Sequence, residues 1–138
     1  MICDTSGLLA SLWPEQPESE ACIAAIESAD RRVISPLVLT ELDYLIGRRV
    51  GGTEASKAMQ MFAAGDFELA SLDWTDISTA LDVMNNYRDL RIGLVDASLV
   101  VLAKRYRTDE ILTLDQRHFR AIRSLSGRPF KLLPFDMD

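Results

Sequence analysis

Two cysteines, one histidine, five prolines and seven glycines are spread over 138 residues, and each scarcity closes off a class of protein. Two cysteines cannot make a disulfide framework. Cys3 in an apolar N-terminal strand and Cys22 on the apolar face of a helix read as small buried hydrophobes. So few glycines and prolines exclude collagen-like and low-complexity chains, and 48% apolar residues is too many for intrinsic disorder. No apolar run approaches the roughly 18 residues needed to span a bilayer. No basic region followed by an apolar stretch marks the N-terminus as a secretory signal, so a cytoplasmic location is expected. The length predicts a single domain, residues 1–138.

The formal charge of −6 argues against nucleic-acid binding through bulk electrostatics. The average hides an asymmetry. Ten basic residues and five acids lie between Arg88 and Lys131, a segment of net charge +5, while the rest of the chain carries −11. Arginine outnumbers lysine 12 to 3. The planar guanidinium matches phosphate oxygens two at a time, so the bias suits a phosphate-bearing partner as well as ordinary solvated helix faces.

Short apolar segments alternate with helical periodicity. Strands are expected at Met1–Asp4, Arg32–Ser35, Phe67–Leu72, Glu110–Thr113 and Lys131–Leu133. Between them the spacing predicts helices through Leu12, from Ser19 to Ala29, from Pro36 to the Gly51-Gly52 stop, from a Thr53 cap to Ala64, over Thr75–Asp89, Leu94–Tyr106 and Gln116–Arg123. That order produces parallel βαβ units, hence a three-layer α/β domain with a short central parallel sheet of about five strands flanked by helices.

Ligand sites in such folds form beyond the carboxyl ends of the strands. Asp4 ends the first strand and Asp115 follows the fourth, so both are expected on one edge, where either could also serve as a helix N-cap. Glu41 has Leu37 and Leu45 one turn away and interrupts an apolar stripe, which predicts a carboxylate facing the core and in need of a compensating partner. Asp96 shares a face with Val100 and Ala103 on a nearly all-apolar helix and poses the same problem, with the helix N-terminus as its simplest relief. Four acids gathered in one pocket repel one another unless a divalent cation joins them. Oxygen ligands select Mg²⁺ or Mn²⁺, and the lone His118 with no nearby cysteine argues against zinc. A hydrated Mg²⁺ site lined by acids suits phosphodiester hydrolysis.

At these residues the chain resembles the PIN-domain ribonucleases, and more closely the VapC toxins of bacterial toxin–antitoxin pairs. The matching stretches are Ile2-Cys3-Asp4-Thr5-Ser6, Ser35-Pro36 with Glu41-Leu42-Asp43-Tyr44-Leu45, Ile92-Gly93-Leu94-Val95-Asp96-Ala97, and Ile111-Leu112-Thr113-Leu114-Asp115 with Arg117-His118-Phe119. The resemblance implies that Asp4, Glu41, Asp96 and Asp115 bind Mg²⁺ or Mn²⁺, with Asp4 and Asp96 as direct ligands. It also implies endonucleolytic RNA cleavage leaving 5′-phosphate and 3′-hydroxyl ends, a homodimer, and inhibition by a VapB-type antitoxin whose C-terminal segment enters the catalytic groove. Further roles are expected from the residues themselves. Ser6 and Thr113 orient a carboxylate or a water. Arg91, Arg117 and His118 flank two of the acids and are placed to grip substrate phosphates. Trp13 and Trp74 are expected in core or dimer packing rather than in stacking on bases.

Two other readings compete. A phosphohydrolase of the haloacid-dehalogenase type places two acids around the end of its first strand, whereas here Asp4 is followed by Thr5 and Ser6. A catalytically silent PIN-like binding or dimerisation module would be favoured by loss of an acid, and none of the four is lost.

Overall fold

The computed structural model describes Met1–Asp138. Five strands, β1 (Ile2–Cys3), β2 (Arg32–Ile34), β3 (Phe67–Leu69), β4 (Glu110–Leu112) and β5 (Lys131–Leu133), form one sheet in the order β3-β2-β1-β4-β5. Every pairing is parallel, and central β1 places Ile2 opposite both Val33 and Ile111. Seven helices flank the sheet: α1 (Thr5–Leu12), α2 (Ser19–Ser28), α3 (Pro36–Arg49), α4 (Gly52–Ala64), α5 (Trp74–Asn86), α6 (Leu94–Arg105) and α7 (Gln116–Ala121). This is the expected three-layer α/β architecture.

The local sequence explains where the elements begin. Ser35 caps α3 by accepting from the Leu37 amide, and Pro36 occupies the first turn, where no donor is needed. Asp73 and Asp76 form a reciprocal capping box on α5. Helix α6 is buried all round, from Ala97 to Ala103, and lies against β1 and β4. Three boundaries differ from expectation. Helix α4 starts at Gly52 behind a Gly51 cap with φ 118°, because glycine alone takes that turn cheaply, and Thr53 falls inside the helix. Strand β3 ends at Leu69. Helix α5 stops at Asn86 and yields to a 3₁₀ turn, Arg88–Leu90.

Strand order reverses at β1, so the crevice between the carboxyl ends of β1 and β4 is the topological switch point of the sheet. Gly7 lets α1 close down on that crevice: a Cβ there would meet Leu112 Cγ at 2.6 Å and the Leu112 carbonyl oxygen at 3.0 Å. The core is one cluster that includes Ile2, Leu8, Val33, Leu99, Ile111 and Leu132, and both cysteines are free and buried within it. No helix is long and apolar enough to cross a membrane.

Candidate active site

Asp4 stands at the switch point, where its backbone continues β1 by donating from its amide to the Leu112 carbonyl at 2.9 Å. Its side chain caps α1, with Oδ1 accepting from the Thr5 amide at 2.8 Å. The other oxygen, Oδ2, accepts from Thr113 Oγ1 at 2.7 Å and from Ser6 Oγ at 3.1 Å. Both hydroxyls are themselves anchored, Ser6 Oγ by the Leu114 amide at 2.9 Å and Thr113 Oγ1 by the Asp115 amide at 3.0 Å. The carboxylate is therefore held at both oxygens by groups from α1 and from the end of β4. Burial nevertheless raises the Asp4 pKa, working against these three donors, and the charge of Glu41 pushes the same way.

Asp115 caps α7, accepting from the His118 amide at 3.0 Å. Capping and convergence hold together at both strand ends. Asp96 lies in the first turn of α6 behind Gly93 and makes no capping bond, so its inward position is not explained by the helix terminus. Burial lifts its pKa to about 6, with Asp4, Asp115 and Glu41 adding to the rise and His118 opposing it. One ligand atom each from Asp96, Asp115 and His118 lie within 4.8 Å of one another. His118 Nδ1 is 2.9 Å from Asp115 Oδ2 and 3.5 Å from Asp96 Oδ2. Despite the short distances it is off the line a hydrogen bond needs, and it stays buried without an aligned partner.

Glu41 departs from expectation. The buried stripe of α3 is Val38, Leu42 and Ile46, one residue out of step with Leu37, Glu41 and Leu45. Glu41 is half-buried on the flank of the helix, where it needs no buried counter-charge, and it forms no ion pair. Its charge still reaches Asp4 and Asp96, which places it at the same rim. Arg91 ends the 3₁₀ turn in the left-handed region, φ 52°, just before α6, and Arg117 is exposed on α7. Trp74 is no core residue, being 86% exposed, while Trp13 is half-buried under the Arg49 guanidinium, 4.2 Å from its ring centre.

The donor set fits a divalent cation. None of the four acids has an arginine or lysine partner, two have raised pKa values, and the two buried side-chain polar atoms left unpartnered in the chain, Thr5 Oγ1 and His118 Nδ1, both belong to residues of this rim. Sequence reasoning missed Gly7 and the depth to which His118 enters the acid cluster. The cue for Gly7 was its place directly after Ser6 in an otherwise ordinary helix. For His118 the cue was its spacing of three from Asp115, one helical turn.

A profile of the PIN domain matches residues 1–125. The chain is 45% identical to Ribonuclease VapC26 of Mycobacterium tuberculosis over 135 residues, 97% of this chain and 100% of that one. Its fold resembles Mycobacterium tuberculosis VapC20, a Sarcin-Ricin loop cleaving toxin, with TM-score 0.75 and 16% identity over 83% of this chain and 89% of the other. It also resembles a chain of VapBC2 from Rickettsia felis bound to a DNA fragment from their promoter, with TM-score 0.70 and 13% identity over 95% and 96% of the two chains. On the profile and the sequence relative together, the chain belongs to the PIN-domain family and, within it, to the VapC ribonucleases.

Proposed function

We propose that the protein is an endoribonuclease toxin that hydrolyses one phosphodiester of a structured RNA, transfer or ribosomal, with Mg²⁺ or Mn²⁺ held by Asp4, Asp96, Glu41 and Asp115. Water adds to phosphorus and the bond to the 3′ oxygen breaks, leaving 5′-phosphate and 3′-hydroxyl ends. The observation that carries this reading is the meeting of Asp96, Asp115 and His118 within 4.8 Å beside a buried Asp4, with no arginine or lysine among them. The ion, when bound, supplies an acidified water and positive charge opposite the transferring phosphoryl group.

The chain's own residues do the rest. Thr113 and Ser6 fix both the position and the rotamer of Asp4, so its free lone pairs point one way. His118 turns Nδ1 toward Asp96 and Asp115, which leaves Nε2 as its only nitrogen for a substrate phosphate. Arg91 and Arg117 are unpaired cations on either side of the acids and take the flanking phosphates. The left-handed backbone of Arg91, costly for any residue with a Cβ, is the kind of local strain that collects at working sites.

A VapB-type antitoxin and a homodimer are the expected partners. Two apolar grooves of about 430 Å³ each support them, running between α1, α3 and α4 past Trp13, Ile46, Val50 and Met61, and past Tyr44 and Leu45. A cytoplasmic site of action fits a toxin of cellular RNA. The test is cleavage of total RNA by the isolated chain in Mn²⁺ and in EDTA, wild type against Asp4→Asn and Asp96→Asn. Cleavage confined to the wild type with metal is expected, and equal behaviour of all three proteins overturns the proposal. Mapping RNA 5′ ends after brief induction in cells then identifies the substrate.

A further inference from the structure

The proposed reaction leaves most of the arginine-rich third of the chain without a task. Of its ten cations, Arg105, Arg120, Arg128 and Lys131 are ion-paired. Six are not, in a chain whose formal charge is −6. Arg91 and Arg117 stand at the catalytic rim. Lys104 and Arg107 stand at the other end of α6, about 18 Å away at the rise of an α-helix, where with Arg128, Ser124, Ser126 and the carboxylate of Asp109 they line a polar cleft of about 280 Å³.

The walls of that cleft are tied by hydrogen bonds to the backbone. Two residues past α6, Arg107 stands at φ 52°, with the Arg107 and Thr108 amides bonded back to the Lys104 and Ala103 carbonyls at 3.2 and 3.0 Å. Opposite, the Ser124 amide donates to the Arg128 carbonyl at 2.8 Å and the Arg128 amide to Ser124 Oγ at 3.1 Å, around Gly127 at φ 82°. The Asp109 side chain pairs with Arg128, at 2.6 Å, and no carboxylate pairs with Lys104 or Arg107, which leaves both free for an outside partner. The two ends are joined by one connection. After α7 the Arg123 amide donates to the Tyr87 hydroxyl at 3.0 Å, which sets Arg123, itself unpaired, beside the end of α5, and the chain then runs on into the cleft wall.

We propose that this flank is a second RNA-binding surface, which takes the backbone phosphates of a duplex stem adjoining the cleaved strand. The unpaired Lys104 and Arg107 cations beside the exposed Ser126 hydroxyl are groups that bind phosphates, and duplex RNA is recognised through its shape and its phosphates rather than its bases. A single nucleotide at the rim cannot also reach Lys104. A stem can, because its backbone phosphates extend well beyond one nucleotide. The proposal rests on the ribonuclease reading of the rim.

The experiment compares Lys104→Ala/Arg107→Ala with wild type on two RNAs: a stem–loop that the wild type cleaves, and a short single strand carrying the same cleavage site without the stem. KM and kcat are measured with Mn²⁺ between about 50 and 200 mM salt, where phosphate contacts dominate affinity. We expect the ratio of stem–loop KM to short-strand KM to rise about tenfold, and the salt slope of stem–loop binding to fall by about 2, one for each phosphate contact removed. An unchanged ratio, or an equal rise on both RNAs, overturns the proposal while leaving the ribonuclease reading intact. A wild type that cleaves neither RNA sinks both together, and is recognised by the absence of any activity to compare.

Discussion

Carboxylates at the rim and carboxylates elsewhere on the surface are the same groups in opposite circumstances. Away from the rim, Glu68, Asp76 and Asp136 each meet an arginine, Arg31, Arg105 and Arg120 respectively, at 2.6 to 2.8 Å. All three have lowered pKa values caused first by that arginine, and Asp136 falls to about 2. At the rim, Asp4 and Asp96 have no such partner, burial comes first among the causes, and their pKa values rise, Asp96 to about 6. Away from the rim the acids are either paired with a cation, as these three are, or left unpaired; at the rim Asp4, Asp96 and Asp115 are gathered at one edge of the sheet with no arginine or lysine beside them. That contrast fits the proposed cation site, where the ion supplies the positive charge that arginine supplies elsewhere.

The comparison breaks most visibly if a rim acid is neutralised. Asp96→Asn or Asp4→Asn is expected to lower kcat/KM with Mn²⁺ on the order of a thousandfold, since a catalytic metal is worth several kcal/mol in the transition state. The same Asp96→Asn protein without metal should melt higher than wild type at neutral pH, because a repelled charge has been removed. A drop in both quantities would mean that Asp96 is structural.

Removing the hydroxyls that hold Asp4 tests whether orientation matters as much as charge. Thr113→Val and Ser6→Ala are expected to cost 10- to 100-fold, about the range for groups that hold a metal ligand in place. The loss should appear in Mn²⁺ affinity as well as in kcat. Gly7→Ala attacks the same geometry from behind: its Cβ collides with Leu112, and overpacking of this kind typically costs about 1–3 kcal/mol. Thermal unfolding checks the stability, and activity should fall further than the stability loss explains if α1 is pushed off the crevice.

The pH dependence of stability separates the two sets of acids. Asp96 binds its proton more tightly folded, at about 6, than its ordinary 3.8, so its contribution favours the folded state at low pH and is lost as pH rises from about 4 to about 6. Asp136 does the reverse: its folded value of about 2 lies below 3.8, so its contribution is present above about 4 and is lost as pH falls toward 2. In metal-free protein the melting temperature should therefore climb from pH 7 down to about 4 and fall below that. Mn²⁺ at pH 7 should remove the first slope and leave the second. The smallest effect expected is from Arg31→Ala, an exposed pair with Glu68, which should change neither cleavage nor melting measurably.

Much of this was legible in the chain. The alternation of short apolar runs with helical periodicity predicts the five strands and seven helices, and the apolar run in α6 predicts a helix buried all round. Asp4 and Asp115 could be placed on one edge because parallel strands all end on the same side. Other readings failed for identifiable reasons. Helix α3 offers two overlapping stripes, Leu37 with Leu45 and Val38 with Leu42 and Ile46, and periodicity cannot choose between them, so Glu41 was expected one position too deep. Trp74 looks like core by type and lies almost wholly in solvent, because side-chain chemistry does not reveal which side of α5 meets α6.

The sequence by itself determined the order of the elements, the caps at Asp4 and Asp115 and the identity of the acids, because each depends on neighbours within about one helical turn or one strand. Only the tertiary structure decided that Ser6 and Thr113, 107 positions apart, share Asp4, and that His118 stands between Asp96 and Asp115. Those meetings depend on how closely α1 and α6 settle against β1 and β4, and that closeness is set by packing volume, down to the missing Cβ of Gly7. Repulsion among acids far apart in the chain acquires meaning only once the hydrophobic core has forced them together.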